Sequence, residues 1–253
     1  MNPVEARSGH PGTPPRGMDA IEIQRATLET CSSAEGTVVV IDVLRAFTTA
    51  AYAFAGGAVE ILLAGEVAEA LALRQAVPGA LLVGEVDGQP VAGFDLSNSP
   101  SALARLDLRG RTLIQRTTAG TQGVVRVRRA SFLLATGLCN AQATAHAVLR
   151  RALESVTLVQ TGVHPGGWGD EDVACADLLQ AYLEGRPADH VSIIERVRAS
   201  RSGRHYCDPA NPVFPPADLE CALQVDRFDF AMQVRSGPVA LSMKPIRVSG
   251  SPA

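Results

Sequence analysis

The sequence predicts an α/β protein in which helices cover both faces of a largely parallel or mixed sheet. Short apolar runs that suit strands alternate along the chain with stretches that suit helices, and this alternation is typical of parallel sheets. The 253 residues are enough for one large domain of this kind, with room for a division into two lobes. The composition, 46% hydrophobic and 19% charged, is ordinary for a globular protein.

The strongest strand signal is the run Val-Val-Val-Ile at residues 38–41. Four branched apolar residues in succession predict a strand that is buried on both faces. Asp42 follows this strand directly, Arg45 comes three residues later, and residues 46–55 have the composition of a helix that two glycines end. Ligands of open α/β sheets bind at the carboxyl ends of strands, so Asp42 and Arg45 are candidate catalytic residues. The alternative is that Asp42 only caps the helix and Arg45 is a solvated neighbour.

The same patterns assign the rest of the chain. Strands are predicted at residues 21–26, 37–41, 60–64, 80–83, 112–115, 131–135, 156–160, 239–243 and 246–248. Helices are predicted at residues 46–55, 66–76, 99–106, 120–128, 140–153, 170–183, 189–200 and 216–224. Residues 202–216, rich in Gly, Pro and Asn, predict an ordered loop. Residues 1–19 contain few large apolar side chains and predict a disordered tail before a folded unit at 20–253.

Composition excludes several classes of protein. The net charge of −3 argues against a nucleic-acid partner, and Lys244 is the only lysine, which rules out a P-loop. The 5 cysteines are widely spaced without a C-x-x-C pair, so we expect reduced thiols in a cytoplasmic protein rather than disulfides or a zinc site. No apolar run approaches the roughly 20 residues of a membrane span, so no membrane partner is expected. The apolar content leaves room for a homodimer.

Polar residues follow several of the predicted strands. Because the carboxyl ends of parallel strands share one edge, these side chains are expected to converge. The turn Thr-Thr-Ala-Gly-Thr at residues 117–121 suits an anion, since hydroxyls and backbone N–H groups at a helix start favour phosphate, although a plain helix cap is the alternative. The candidate substrate-binding residues are Asn98, Ser99, Arg116, Thr117, Thr118, Gly120, Thr121 and Asn140.

Acidic residues predict a metal ion. Asp170, Glu171 and Asp172 stand side by side at a predicted helix start, where a divalent cation would relieve their repulsion. Mg²⁺ prefers hard oxygen ligands and takes a few carboxylates together with water and phosphate. The candidate ligands of Mg²⁺ are Asp42, Glu85, Asp95, Glu171 and Asp172, and Asp172 is also a candidate catalytic residue.

Motifs of other phosphatases are absent or coincidental. The D-x-D motif of aspartate-based phosphatases is absent, because Leu44 occupies the position of the second aspartate after Asp42. Cys221 and Arg227 match the C-x5-R spacing of cysteine phosphatases, but the residues between them are helical and contain no glycine, so they cannot cradle a phosphate. The sequence also lacks the G-x-G-x-x-G, H-E-x-x-H and G-x-S-x-G motifs.

Taken in order, the candidate segments resemble the 2-phosphosulfolactate phosphatase family, which is known from coenzyme M biosynthesis. The resemblance extends over roughly residues 36–230. Its segments are residues 41–49, 84–85, 93–100, 117–121, 140–141, 171–172 and 175–176. Two positions depart from the family pattern: Ser97 stands where Gly is frequent, and Ala119 where Asn is frequent. The second change removes an amide from the expected phosphate loop, where Arg116 could partly replace it, and it bears on the substrate more than on the reaction.

The resemblance implies a three-layer α/β/α fold and a Mg²⁺-dependent phosphomonoester hydrolase that converts 2-phosphosulfolactate to 3-sulfolactate and phosphate. The expected partner is therefore a small anionic phosphorylated substrate. In this hypothesis Asp42, Arg45 and Asp172 are catalytic, and Asp42 either attacks phosphorus directly or activates a water molecule. Two alternatives are a phosphatase of another small phospho-hydroxy acid and a degenerate module that binds organic phosphates without hydrolysing them.

Overall fold

The computed structural model describes residues 21–151, 155–164, 166 and 168–248, so the predicted tail at 1–19 lies outside the described residues. The strands are β1 (Glu22–Thr27), β2 (Glu35–Ile41), β3 (Glu60–Leu63), β4 (Leu81–Val86), β5 (Gln89–Pro90), β6 (Leu96–Ser97), β7 (Thr112–Arg116), β8 (Arg129–Thr136), β9 (Ser155–Gln160), β10 (Phe230–Ser236) and β11 (Leu241–Arg247). The helices are α1 (Ala46–Ala55), α2 (Val67–Ala76), α3 (Pro100–Leu103), α4 (Gly120–Arg126), α5 (Ala141–Leu149), α6 (Asp170–Leu183), α7 (His190–Ala199), α8 (Arg201–Arg204) and α9 (Pro216–Ala222).

The strands form one mixed, mostly parallel sheet with the order β1-β9-β2-β8-β10-β11-β3-β7-β4-β5, and β6 pairs with β4. Strands β1, β9, β2 and β8 form one parallel group, and β3, β7 and β4 form a second. The antiparallel hairpin β10–β11 joins the two groups. The two lobes that the sequence left room for are therefore two parallel halves of a single sheet.

The antiparallel hairpin reverses the strand direction between the two groups. Three successive antiparallel pairings separate β8 from β3, so the strands of the second group run in the opposite direction to those of the first. The carboxyl ends of the two groups therefore do not lie along one edge, as they would in an all-parallel sheet. The ends of β2 and β7 nevertheless come together. They meet around the start of α1, where Gln115 Nε2 of β7 donates a hydrogen bond to Ala46 O at 2.8 Å.

Apolar cores lie on both faces of the sheet, as the alternation of strands and helices predicts. On β2, Val38 and Val40 pack in a core with Phe47 of α1, while Val39 and Ile41 face the opposite core, which α5 and α6 complete. A smaller core lies beneath α2, against strands β3, β7 and β4. The three-layer α/β/α architecture is therefore confirmed, as is the burial of the first strand on both sides.

Several boundaries differ from the sequence prediction: the helices predicted at 99–106 and 120–128 end at Leu103 and Arg126, and helix α8 begins the predicted loop 202–216. Strand β4 continues through Val86, so Glu85 lies within the strand rather than after it. The predicted strands 239–243 and 246–248 are one strand, β11, and β10 was not predicted at all. Pro245 interrupts the strand pattern in the sequence. In the structure β3 pairs with β11 only through residues 241–243, so at Pro245 the strand has a partner on one side only, where a proline is tolerated.

None of the helices in the described part of the chain combines the length and the apolar composition needed to cross a membrane.

Gly84 provides a test of how tightly the second strand group is packed. Its φ is +149°, and a Cβ atom there would lie 1.8 Å from the carbonyl oxygen of Arg116 on β7. We expect Gly84→Ala to lower the free energy of unfolding by roughly 3 kcal/mol or more, because the two strands must separate. Gly79→Ala is the matched control: Gly79 has a φ of +86° with no atom within 4 Å of the added Cβ.

The control should lose only about 1 kcal/mol, the conformational penalty of a left-handed residue. Urea unfolding of both variants measures the difference. Equal losses would contradict the close approach of β4 and β7.

Candidate active site

A cavity of about 430 Å³ lies where the ends of β2, β4 and β7 meet. It brings together residues that are remote in sequence: its lining includes Asp42, Arg45, Glu85, Asn98, Thr118 and Trp168. Five of these six were predicted as site residues, and Trp168 was not. The structure therefore brings Asp42 and Thr118 beside one cavity.

Asp42 is buried, with 6% of its surface exposed. Its Oδ1 accepts a hydrogen bond from the backbone N–H of Ala46 at 2.9 Å, and a Cβ atom added at Gly120 would lie 2.7 Å from its Oδ2. Burial, together with the negative charges of Glu85 and Glu171, raises the pKa of Asp42 to about 7, against the lowering effect of the backbone N–H groups of Ala46 and Gly120. Asp42 is thus held rigidly as a carboxyl group that titrates near neutral pH.

Glu85 ties the threonine-rich turn to β4. Its Oε1 accepts from the N–H of Thr118 at 2.6 Å, and its Oε2 accepts from Gly88 N at 2.6 Å and Thr118 Oγ1 at 3.1 Å. Thr117 and Thr121 bond to each other: each backbone N–H donates to the other's hydroxyl, at 2.8 and 3.0 Å. The threonine hydroxyls, predicted as phosphate donors, are therefore engaged in holding the turn itself.

Asp172 holds two loops together behind Asp42. Its Oδ1 accepts from the N–H of Val43 and its Oδ2 from the N–H of Gly162, both at 2.8 Å. Burial raises the pKa of Asp172 well above its ordinary value, and the charges of Asp42 and Glu171 add to this. Both carboxylate oxygens are occupied, so the arrangement fits a positioning residue.

Glu171, the neighbour of Asp172, is 4% exposed, and its Oε2 has no hydrogen-bond partner among the described residues. Burial raises the pKa of Glu171 as well. A buried carboxylate oxygen without a partner is unfavourable unless a proton or a cation completes it.

Arg45 is fixed by an acid that the sequence did not reveal. Its Nη1 donates to Asp218 Oδ2 at 2.8 Å and to the carbonyl oxygen of Val213 at 2.8 Å. Asp218 is fully buried, and its Oδ1 accepts from the hydroxyls of Ser99 at 2.7 Å and Ser101 at 2.6 Å. Arg45, predicted as a catalytic residue, and Ser99, predicted to bind the substrate, are thus joined through one carboxylate. Breaking a buried pair such as Arg45–Asp218 costs about 3–5 kcal/mol.

Asp95 and Asn140 lie apart from the cavity. Asp95 Oδ2 accepts hydrogen bonds from Arg74 Nη1 at 2.5 Å and from Leu82 N at 2.8 Å. Leu82 is three residues before Glu85 on β4, a distance of about 10 Å along the strand. Asn140 is fully buried and bonds to Thr136 Oγ1 and Gly137 N. Neither is among the residues that line the cavity in the described part of the chain.

The five predicted magnesium ligands do not form one cluster. Among the described residues, no three His, Cys, Asp or Glu side chains are grouped so as to hold a metal ion. Arg116, predicted to bind the substrate, donates from Nη1 to the carbonyl oxygen of Glu85 at 2.8 Å, and its buried Nε has no hydrogen-bond partner among the residues that the structure describes.

An aromatic wall that sequence reasoning missed closes one side of the cavity. Trp168 stacks between His164 and His205, with ring centroids 5.6 Å apart in both cases. Phe214 lies 5.0 Å from the guanidinium of Arg45. The available signal was a single tryptophan within a glycine-rich loop, in a chain with 4% aromatic residues. Because it is the only tryptophan, Trp168 is a built-in fluorescent reporter of this cavity.

Comparison with known proteins decides the family. The model of the 2-phosphosulpholactate phosphatase family matches residues 23–209. The chain belongs to this family. A probable 2-phosphosulfolactate phosphatase of Bacillus subtilis (strain 168) is 37% identical over 198 residues, covering 78% of this chain and 86% of the relative. One of Thermosynechococcus vestitus is 34% identical over 207 residues, covering 74% and 84%.

Family membership confirms the resemblance and makes the chain a hydrolase of phosphoric monoesters. The matched range includes Asp42, Glu85 and Asp172, but it ends before Asp218. The acid that fixes Arg45 therefore lies outside the segment by which the family is identified.

The raised pKa of Asp42 predicts how stability depends on pH when a chelator is present. The folded state holds the Asp42 proton up to about pH 7, whereas the unfolded chain releases it near the ordinary value of 3.8. Between these values the folded state binds more protons, so stability falls as pH rises. The Asp42→Asn variant has no carboxyl group at this position, so it does not lose stability in this way. At pH 8 we expect its free energy of unfolding to be higher than that of the wild type by roughly 2–4 kcal/mol.

At pH 4 that difference should be close to zero. Urea unfolding at the two pH values measures it. A difference that does not change with pH would show that Asp42 titrates normally.

Gly120 tests the close contact between the turn and Asp42. A Cβ atom there would also lie 2.6 Å from the Cβ of Ala46. We expect Gly120→Ala to displace Asp42 and to reduce kcat by roughly 100-fold, the order of effect expected from misplaced reacting groups. Gly110→Ala, with no atom within 4 Å of the added Cβ, is the control and should leave steady-state phosphate release unchanged.

Proposed function

We propose that the chain hydrolyses 2-phosphosulfolactate to 3-sulfolactate and inorganic phosphate with the help of Mg²⁺. The observation that carries this proposal is the buried carboxyl group of Asp42, which titrates near neutral pH and faces a cavity at the meeting point of both strand groups. The names of the relatives from Bacillus subtilis and Thermosynechococcus vestitus support the substrate.

The electrostatics of the cavity support the need for a cation. Asp42, Glu85 and Asp87 line it, whereas the positive charge of Arg45 is already paired with Asp218. A phosphate dianion entering this lining would be repelled in a partly desolvated site. A divalent cation would reverse that balance.

The oxygen donors fit a magnesium site of the usual sparse kind. Mg²⁺ is commonly held by one or two carboxylates, with water and substrate phosphate as the remaining ligands. Asp42, which lines the cavity, and Glu171, whose Oε2 is buried without a partner, would hold it. When bound, Mg²⁺ supplies positive charge that neutralises the phosphoryl oxygens.

Asp42 is the residue best suited to act on the attacking water. The N–H of Ala46 holds its Oδ1, and the carboxylate lines the cavity that the substrate would enter. We propose that Asp42 accepts the proton of the water that attacks phosphorus. Asp172 fixes the backbone after β2 through Val43 N, and the aromatic wall at Trp168 limits the access of bulk water.

The decisive experiment is phosphate release from 2-phosphosulfolactate. We expect turnover with Mg²⁺, none with excess chelator, and a loss in kcat of at least roughly 100-fold in Asp42→Asn. Asp95→Asn is the matched control, because Asp95 is an acid of another family segment, residues 93–100, that lies away from the cavity and should keep kcat within about twofold.

Trp168 fluorescence should report ligand binding in both variants. The proposal fails if the wild type releases no phosphate, or if the Asp42 variant retains full activity. A panel of unsulfonated phospho-hydroxy acids distinguishes the main proposal from a phosphatase of another small acid. Binding without phosphate release would instead support the degenerate binding module.

A further inference from the structure

A second cavity, of about 630 Å³, opens between strands β8 and β10. The two strands pair with each other only through residues 133–135 and 232–234. Before this stretch β8 pairs with β2 alone, and after it β10 pairs with β11 alone. In the described structure the facing edges of β8 and β10 therefore have no strand partner beyond this stretch. The cavity lies there, and its lining includes Ser131 and Leu133 of β8 and Val234 and Ser236 of β10.

This cavity is remote from the candidate active site. Thr136, the last residue of β8, accepts a hydrogen bond at its carbonyl oxygen from the backbone N–H of Asp42 at 3.2 Å. Ser131 is five residues earlier on the same strand, a distance of about 17 Å along it. None of the residues that line this cavity also lines the cavity at Asp42. A molecule bound here would therefore not contact the reacting groups.

Arginines supply the charge of this basic cavity. Arg128 follows α4, Arg151 follows α5, and Arg235 lies near the end of β10; no acid among the described residues lines the cavity with them. None of the three forms an ion pair with a described acid, whereas Arg129, the neighbour of Arg128, pairs with Glu35 at 2.5 Å. A chain with a net charge of −3 thus keeps three unneutralised positive charges around one cavity.

Two of these arginines are held in place by neutral groups. The guanidinium of Arg151 lies over the ring of Phe132, 4.3 Å from its centroid. Arg235 Nη2 donates a hydrogen bond to Gln233 Oε1 at 2.8 Å. Both contacts restrict the position of a guanidinium without adding a negative charge beside it. Positive charge that is already positioned costs less to order when an anion binds.

Gln233 is an independent indication of a ligand with acceptor oxygens. It lines the cavity and is only 9% exposed. Because an arginine can only donate, the bond from Arg235 assigns Oε1 as the acceptor and leaves the N–H groups of Nε2 for another partner. Nε2 has no hydrogen-bond partner within the described part of the chain. A largely buried donor is unfavourable until an acceptor meets it, and an oxyanion would be one.

We propose that the basic cavity is a second, non-catalytic site that binds a small organic anion with two or more phosphate or carboxylate groups. Guanidinium groups match the paired oxygens of both kinds of group, and arginines on three separate elements can contact more than one of them. Val127, Leu133 and Val234 also line the cavity and suit the carbon skeleton of such a molecule.

Calorimetry with pyrophosphate and with citrate, in the absence of Mg²⁺, tests this proposal. We expect at least one of them to bind; pyrophosphate alone would identify a phosphate ligand and citrate alone a carboxylate ligand. Arg235→Gln should raise the dissociation constant roughly tenfold or more, because a charge-assisted contact is lost. Gln233→Leu keeps every charge but removes the amide donor, and it should raise the constant by roughly three- to tenfold.

Arg129→Gln is the matched control, because it makes the same change of charge at a residue that pairs with Glu35 and does not line the cavity. It should leave the dissociation constant within about twofold. The fluorescence of Trp168 should not change during the titration, because that residue lies at the other cavity. These measurements need no turnover, so they stand or fall separately from the proposed hydrolysis.

Three results would overturn the basic cavity as an anion site. The wild type binds neither anion; Arg235→Gln has no greater effect than Arg129→Gln; or the Trp168 signal saturates together with the heat, which would place the anion in the candidate active site.

Discussion

Buried carboxylates are the constraint on which the candidate active site depends. Asp42, Glu85, Glu171 and Asp172 are all at most 7% exposed, and their mutual repulsion adds to the cost of burial. Backbone N–H groups offset much of this, because three of the four acids accept hydrogen bonds from the loops that follow the strands. The same bonds therefore shape the loops and hold the carboxylates in place.

Local patterns in the sequence were enough to predict most of the fold. The apolar run before Asp42 and the helix at Asp170–Leu183 were assigned correctly, since their periodicity and end signals are strong. Strand β10 and the continuity of β11 were not, because their place in the sheet is set by partners remote in sequence. The reversed direction of the second strand group depends on the same hairpin and leaves no local trace.

The candidate site was predictable to a lesser degree. Strand-end reasoning found Asp42 and Glu85, because the backbone alone carries them to the cavity. It could not show that the hydroxyls of Thr117 and Thr121 form hydrogen bonds within their own turn. A residue type shows which hydrogen bonds a side chain can make, but not which partner it has in the folded protein. Asp218 was missed because no motif contains it, and its role exists only through its contact with Arg45.

The hairpin β10–β11 also bears on the order in which the molecule can assemble. Residues 230–247 follow both strand groups in the chain, so they are the last of these segments to leave the ribosome. Each parallel group can form earlier from its own strands and helices, but the two cannot become one sheet until this hairpin is inserted between β8 and β3. The nascent polypeptide thus exposes two open strand edges until residues 230–247 have been synthesised.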